Sequence, residues 1–288
     1  MKKDITARLI LTASMVIFGT LAPFVRKIGV SSGELALYRA VLASVLIGFV
    51  LLITKQKIPF AKIKKEVALL LFSGVAMGIN WILLFEAYRH TTVSVATLSY
   101  YFAPVIVTAV CPILFKERLT AKQIICFVMS TLGLVLITGV DLGGNFIGVL
   151  FGLGAAVFYA TVVLINKFIK NVEGIPRTFL QFVAALVILI PYVLLTSGIT
   201  VANLDGTGWA SLITVGVVHT GLAYCLYFPS LKEISGQKAA ILSYIDPLVA
   251  VIISVTVLEE SMLPLQYVGG ALILGFTLWN EITVKVKR

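Results

Sequence analysis

Long, uniformly apolar stretches dominate the chain, and short polar segments separate them. Stretches such as VLASVLIGFVLLI (41–53) lack the apolar–polar alternation that is typical of a transmembrane β-barrel. A helix needs about 20 apolar residues to cross the roughly 30 Å hydrocarbon core of a membrane. The pattern therefore predicts an all-α membrane protein with ten transmembrane helices, at 7–25, 34–54, 67–88, 92–115, 121–140, 146–167, 177–197, 208–229, 236–258 and 263–281.

Composition strengthens this prediction. Hydrophobic residues make up 59% of the chain and charged residues 12%, whereas a soluble domain carries roughly 25% charged residues. Helices are expected throughout because a backbone polar group without a hydrogen-bond partner in lipid costs several kcal/mol. Ten spans leave only short loops, so no soluble domain is expected.

The positive charge is distributed unevenly between the predicted loops. A net charge of +10 in a soluble protein would suggest nucleic acid, but in a membrane protein basic loops mark the cytoplasmic side. With the N-terminus in the cytoplasm, all but four of the 23 Lys and Arg residues fall on that side; the four are Arg26, Lys27, Arg39 and Arg89. We expect a multi-pass protein of the plasma membrane, with both termini cytoplasmic and no nucleic-acid partner.

The chain also contains an internal repeat. LSYYFAP (98–104) is followed by a weaker copy, LSYIDP (242–247), and FGTLAPFVRK (18–27) aligns with FYATVVLINK (158–167). At one constant spacing, Pro104, Glu117 and Gln123 correspond to Pro247, Glu260 and Gln266. The repeat divides the chain into a first half (1–140), a second half (146–281) and a basic cytoplasmic tail (282–288). It also requires the first span, as the partner of the sixth, to remain as an uncleaved helix.

Each half holds five spans, and five is odd. The second half must therefore enter the membrane from the side opposite to the first. Inverted repeats are typical of secondary transporters, which place the substrate site near the midplane between the halves.

The order and doubling of short motifs add a family resemblance. The motifs FGTxxPFxRK, LYRAxLAxxLIG and LSYYxAPxxxxxxxxxLFKERLT, with their weaker second copy, resemble the drug/metabolite transporter superfamily, in particular its EamA-type ten-helix carriers. The resemblance covers nearly the whole chain. It implies a carrier of small organic metabolites, often an exporter, driven by an ion or substrate gradient. The second half departs from the first at Asp246, which replaces Ala103, and at Gln181, which replaces Arg39.

Ionisable residues within the spans are the first candidates for function, because a charge in lipid costs about 2.5–3.5 kcal/mol on insertion scales. Asp246 lies near the middle of the ninth span and directly precedes Pro247, which frees a backbone carbonyl. It is a candidate site for a proton, a cation or an ammonium group, or else a structural hydrogen-bonding residue. His219, at similar depth, could carry a proton or contact substrate, or act as a buried structural group.

Arg39 and Glu86 are both expected in the outer half of the bilayer, where they could pair. The pair would form an outer gate or part of a substrate anchor; alternatively it is structural, with Arg39 extending toward the headgroups.

Uncharged candidates lie on the same spans. Asn80 needs a partner for its amide, either another helix or the substrate. Trp81, Tyr100 and Tyr244 could bind an amine through cation–π attraction, although aromatic residues in a membrane helix more often pack in the core or face lipid. Tyr101 and Tyr224 belong to the same group of aromatic residues on the third, fourth, eighth and ninth spans.

Other features are interpreted as structural. Glu117 and Glu260 each precede a predicted helix, where a carboxylate favours the positive N-terminus. The three cysteines have no His or Cys partner at metal-ligand spacing, so neither a metal nor another cofactor is expected.

Together these features predict a secondary transporter of small organic metabolites such as amino acids or amines, coupled to a proton, a cation or another gradient. Carriers of sugars, nucleosides or drugs remain alternatives within the class. An intramembrane enzyme is the alternative outside it, but HExxH, paired midplane aspartates and GxSxG are all missing from the sequence. Import and export, and the oligomeric state, are both left open by the sequence.

Overall fold

A computed structural model describes residues 2–115, 120–139, 146–234 and 236–282 of the chain. Within these ranges the chain folds into helices and connecting turns, without a strand. The α-helices are α1 Lys2–Gly19, α2 Ala22–Val25, α3 Ser32–Ile53, α4 Phe60–Ile63, α5 Val67–His90, α6 Val93–Tyr100, α7 Ala103–Phe115, α8 Ala121–Gly139, α9 Phe146–Asn166, α10 Gly174–Leu195, α11 Gly206–Ile213, α12 Ala223–Glu233, α13 Gly236–Ser243, α14 Ile245–Thr256 and α15 Pro264–Glu281. A π-helix at Thr214–Leu222, called the π segment below, joins α11 to α12.

Seven helical stretches in the described ranges are long and apolar enough to cross a membrane, and two further apolar helices, Ala121–Ile137 and Ile241–Thr256, are shorter. The seven are Ile5–Val25, Ser32–Ile53, Phe60–His90, Val93–Cys111, Phe146–Asn166, Gly174–Leu195 and Gly206–Leu231. The all-α, multi-span prediction is therefore confirmed. The count of ten crossings and the inverted arrangement of the halves stay predictions. The basic tail lies outside the described residues except for Ile282.

The surface of the bundle is strongly apolar. Leu52, Ile113 and Leu195 are 77%, 79% and 85% exposed, and similar side chains line the outside of the other long helices. Lipid is the solvent that suits such a surface. Inside, small residues let the helices approach closely; a Cβ on Gly74 of α5 would lie 2.5 Å from the carbonyl oxygen of Gln181 on α10.

Three spans that the sequence predicts as continuous are broken in the structure. α1 gives way to α2 after Gly19, α6 to α7 after Tyr100, and α13 to α14 at Tyr244. In each case the second helix carries a proline in its first turn: Pro23, Pro104 or Pro247. A proline has no N–H to donate to the preceding turn and restricts the residue before it, so each helix restarts there.

α8 and α15 pack against each other through glycines. A Cβ on Gly133 would lie 2.6 Å from the carbonyl oxygen of Gly269, which only a pair of helices in backbone contact produces. These two helices correspond to the fifth and tenth predicted spans. They leave the other helices to surround the centre of the bundle.

Candidate functional site

A cavity of about 550 Å³ occupies the centre of the bundle. It is lined by residues of α1, α2, α3, α5, α6, α7, α9, α10, α12, α13 and α14, whereas no described residue of α8 or α15 reaches it. Its volume falls within the range of about 300–1,000 Å³ that is usual for small-molecule sites. Six of the eight candidate residues from the sequence line it: Arg39, Asn80, Trp81, Tyr100, Tyr244 and Asp246.

Two of the broken helices meet at the cavity. Tyr101 lies in the gap between α6 and α7, and its hydroxyl donates a hydrogen bond of 2.6 Å to Oδ2 of Asp246 in the first turn of α14. Oδ1 of Asp246 accepts no hydrogen bond from the described residues. α1 also lies close to this point, because a Cβ on Gly19 would be 2.6 Å from the Asp246 carbonyl oxygen. The carboxylate of Asp246 is therefore anchored on one side and open to the cavity on the other.

Arg39 brings a positive charge to the same cavity. Its side chain is 5% exposed, its Nε donates to Oγ1 of Thr220 at 2.7 Å, and its guanidinium carbon lies 4.8 Å from the centre of the Trp81 ring. Neither Nη atom donates to another described residue, and neither is fully buried. No ion pair joins Arg39 to Asp246 or to Glu86 in the described parts of the chain. The Arg39–Glu86 pair considered from the sequence is not formed.

Aromatic side chains form much of the remaining wall. Tyr100 lies with its ring centre 5.8 Å from that of Tyr101 and 5.4 Å from that of Tyr159. On α12, Tyr224 stacks on Phe228 at 5.7 Å, and Tyr227 also lines the cavity. Residues 224, 227 and 228 follow the i, i+3, i+4 spacing of one helical face, a signal in the sequence that could have indicated this wall.

Two amides at the edge of the cavity are held by neighbouring helices. Asn80 donates through Nδ2 to the carbonyl oxygen of Ala155 on α9 at 2.7 Å. Gln181, which occupies the repeat position of Arg39, donates through Nε2 to Ser73 and to Oδ1 of Asn166. Both amides connect helices. The partner expected for the Asn80 amide is the backbone carbonyl of Ala155.

His219 and Glu86 do not reach the cavity. His219, in the π segment, is 3% exposed; its Nε2 lies 3.3 Å from Oγ1 of Thr20 at the α1–α2 break, and its ring packs on Phe24. Glu86 lies near the end of α5 beside its neighbours Arg89 and His90, at 3.9 and 3.4 Å. The depth of a residue along its helix was readable from the sequence, but the direction in which it points was not.

Hydrogen-bonded carboxylates close the end of the bundle at which α3 and α6 begin, called the far end below. Glu260 accepts hydrogen bonds from the backbone N–H of Val93, the hydroxyl of Ser254 and the guanidinium of Arg26. These contacts, called the Glu260 network, join α2, α6 and α14. The sequence had assigned Glu260 to the start of the following helix; instead it caps α6, because the loop before α15 folds back over that helix. Glu117 lies outside the described residues.

A second carboxylate, which is buried, strengthens the far end. Glu34, which is fully buried, accepts hydrogen bonds from the backbone N–H groups of Thr200 and Val201 and from the Thr200 hydroxyl. These contacts fasten the start of α3 to the segment that follows α10. Glu34 was not a candidate, although a charged residue at the edge of an apolar span was the signal for it.

The cavity extends toward the opposite, near end, where α9 ends and α10 begins. Its lining there includes Asn166, Arg177 and Leu231, each of which is partly exposed. At the far end the lining stops at Tyr88 and Thr97, which are buried and lie 3.5 Å apart through their hydroxyl oxygens. The cavity lining is thus more exposed at the near end than at the far end.

The described residues contain no group of three or more His, Cys, Asp or Glu side chains that could hold a metal ion. A bundle of membrane-spanning helices around a polar and aromatic cavity is the architecture of a membrane transporter. The chain belongs to the EamA-like transporter family, whose sequence profile matches it twice, over residues 6–139 and 146–280. It is therefore a multi-pass membrane transporter.

Curated relatives agree with this assignment. The chain is 31% identical over 258 residues to an uncharacterized transporter, YxxF, of Bacillus subtilis (strain 168), with 88% of this chain and 82% of that protein covered. It is 26% identical over 186 residues to a probable amino-acid metabolite efflux pump of Salmonella typhimurium, with 60% and 62% covered. A solved crystal structure shares the fold, with a TM-score of 0.66, 16% identity and 95% and 96% of the two chains covered.

Proposed function

We propose that this protein is a secondary carrier of small organic metabolites that bear both an ammonium and a carboxylate group, such as amino acids. The single observation that supports this most is the pair of opposite charges in one cavity. Arg39 and Asp246 both line it, yet no ion pair joins them. Two unpaired charges in a bilayer are costly, and a zwitterion bound between them would offset that cost.

Arg39 would receive the carboxylate. Its Nε is used by Thr220, which leaves the two Nη atoms for the ligand. Guanidinium N–H groups form paired, charge-assisted hydrogen bonds with a carboxylate, and these are stronger than neutral ones.

Asp246 would receive the ammonium group through its open Oδ1, while Tyr101 holds Oδ2. The rings of Tyr100, Tyr101 and Tyr159 lie nearby, and aromatic faces attract cations. The same carboxylate would carry the coupling proton or cation when no ammonium group is bound. This gives one residue both roles that the sequence suggested for it.

Transport would proceed by alternating access, with the halves 1–140 and 146–281 inverted and rocking about the cavity across ten membrane crossings. The distribution of basic residues between the loops supports a cytoplasmic location for both termini. In that orientation the near end would face the cytoplasm and the protein would lie in the plasma membrane. Export is the favoured direction, and the name of the Salmonella relative supports both amino-acid metabolites and efflux.

The test is counterflow in proteoliposomes, first with a panel of amino acids and amines beside sugars, nucleosides and drugs, and then with three matched probes. L-phenylalanine carries both charges, 2-phenylethylamine lacks the carboxylate, and 3-phenylpropionate lacks the ammonium group. Arg39→Gln should weaken the binding of L-phenylalanine and of 3-phenylpropionate by about 10- to 100-fold. This corresponds to the loss of one charged hydrogen bond, which is worth about 1.5–3 kcal/mol. Asp246→Asn should instead weaken the binding of L-phenylalanine and of 2-phenylethylamine.

The crossed pattern separates the explanations. If both substitutions weaken the binding of all three probes equally, the two residues support the fold. In that case Arg39 does not bind the carboxylate and Asp246 does not bind the ammonium group. If the wild-type protein exchanges none of the amino acids or amines but does exchange a sugar, nucleoside or drug, the carrier stands and the proposed substrate class is wrong.

A further inference from the structure

The guanidinium of Arg39 needs a partner to hold it in place. The side chain is 5% exposed, and no carboxylate within the described residues pairs with it. Its polar contact is the 2.7 Å hydrogen bond from Nε to Oγ1 of Thr220, and the rings of Trp81 and Phe85 lie at 4.8 and 5.6 Å from its Cζ. Without the Thr220 hydroxyl, only contacts with rings would hold the guanidinium.

The hydroxyl of Thr220 is prepared to accept this bond. Its own proton is donated to the carbonyl oxygen of Val215 at 2.8 Å, five residues earlier in the chain. A hydroxyl whose proton is committed turns its lone pairs toward the second partner. The π segment makes this possible, since its wider turn brings the carbonyl at i−5 within reach of the side chain.

Two glycines set the π segment against α3 in the required register. A Cβ on Gly216 would lie 2.6 Å from Leu42, and a Cβ on Gly221 would lie 2.6 Å from Leu46. Residues 39, 42 and 46 share one face of α3, so this close contact brings Thr220 opposite Arg39.

We infer that Thr220 is the positioning residue for Arg39. It holds the guanidinium over Trp81 with both Nη atoms directed to the cavity, ready for the anionic group of the substrate. The inference rests on the proposed function for the role of Arg39 in binding. The placement of Arg39 by Thr220 does not depend on that role and can be measured without a substrate.

Trp81 provides that measurement. The chain has three tryptophans, and the other two, Trp209 and Trp279, are 40% and 39% exposed. Replacing those two by Phe leaves Trp81 as the reporter, and a cation over an indole ring changes the energy of its emission. In this background, Thr220→Val should move the Trp81 emission to that of Arg39→Gln, whereas Thr220→Ser should retain the wild-type spectrum.

Transport gives the second readout. Thr220→Val should raise KM for L-phenylalanine and 3-phenylpropionate about tenfold, which is the loss expected when a charged donor loses its partner, and leave KM for 2-phenylethylamine unchanged. Thr214→Val is the matched control. Thr214 lies in the same π segment, and its hydroxyl also donates to a backbone carbonyl of the preceding turn, that of Ala210 at 2.7 Å, but it has no hydrogen bond to Arg39.

The outcomes are decisive in each case. Wild-type emission in Thr220→Val, or an equal rise in KM for all three probes, would overturn the inference. Thr220→Val replaces the hydroxyl by a second methyl group. If that variant does not fold, Thr220→Ala removes the hydroxyl without adding a methyl group, and the same criteria apply. If the wild-type protein carries none of the probes, the proposed function fails, and the Trp81 emission alone decides whether Thr220 positions Arg39.

Discussion

Glu260→Gln should open the far end of the bundle. The carboxylate of Glu260 is 12% exposed and accepts from Arg26, Val93 and Ser254, while Arg26 is 40% exposed. Glutamine keeps one acceptor oxygen and adds a donor that faces other donors. The ion pair with the exposed Arg26 contributes at most about 1 kcal/mol, and a lost hydrogen bond to a charged group costs about 1.5 kcal/mol or more.

The substitution should therefore destabilise the contacts at the far end by about 2 kcal/mol. If the far end separates during transport, this loss affects only the conformation in which that end is closed. Since about 1.4 kcal/mol corresponds to a tenfold change in an equilibrium, the population with an open far end should rise about 30-fold. The perturbation leaves the residues that line the cavity unchanged, so the shift is one of population rather than of ligand contact.

Thiol accessibility measures this shift. In a background with Cys111, Cys126 and Cys225 replaced by alanine, Thr97→Cys places one thiol at the far end of the cavity lining, at a residue that is 3% exposed. A membrane-impermeant maleimide is applied to right-side-out and to inverted vesicles. Wild type should react mainly from the near end, and Glu260→Gln should react faster from the far end.

The neighbouring carboxylate supplies the control. Glu259 is exposed and hydrogen-bonds to none of the described residues, so Glu259→Gln should label as wild type does. The reasoning fails if Glu260→Gln labels from both ends at the wild-type rates. In that case the Glu260 network shapes the loop without holding the far end closed.

Two smaller changes test other contacts. Tyr101→Phe removes the hydrogen bond to Asp246 and should lower counterflow of L-phenylalanine about tenfold while leaving 3-phenylpropionate unchanged; an equal loss for both probes would contradict this. Gly133→Ala places a methyl group against the Gly269 carbonyl and should destabilise the protein by about 1–3 kcal/mol, seen as a lower thermal midpoint in detergent. Gly275→Ala on the same helix pair meets open space and should not lower the midpoint.

The helices were predictable because lipid leaves the backbone no alternative. The predicted span 146–167 differs from α9 by one residue, and the predicted ends of α3 and α15 lie within two residues of the observed ends. The breaks at Tyr101 and Tyr244 were less accessible to prediction. A proline within an apolar stretch produces a kink in one helix and a gap in another, and the neighbouring helices decide which.

The site was predictable in depth but not in direction. Arg39, Asn80 and Asp246 were identifiable because a polar group inside an apolar span needs a reason to be there. His219 satisfied the same criterion, yet it faces the α1–α2 break, since the rotation of a helix about its axis is set by packing. The π segment includes the hydrogen bond from the Thr220 hydroxyl to the carbonyl oxygen five residues earlier. No pattern in the sequence distinguishes this segment from an ordinary α-helix.

Apart from Arg177 at the near end, the two halves of the chain contribute one charged residue each to the cavity lining, and this follows from how the copies differ. Arg39 in the first half is replaced in the second by Gln181, whose amide is tied to Ser73 and Asn166. Asp246 in the second half is replaced in the first by Ala103, which also lines the cavity. An identical repeat would place two like charges in one cavity. They would repel each other and would favour a ligand of the opposite net charge over a zwitterion. With Arg39 in one half and Asp246 in the other, a zwitterion of the proposed kind would bridge the halves, and its binding would then be energetically coupled to their relative motion.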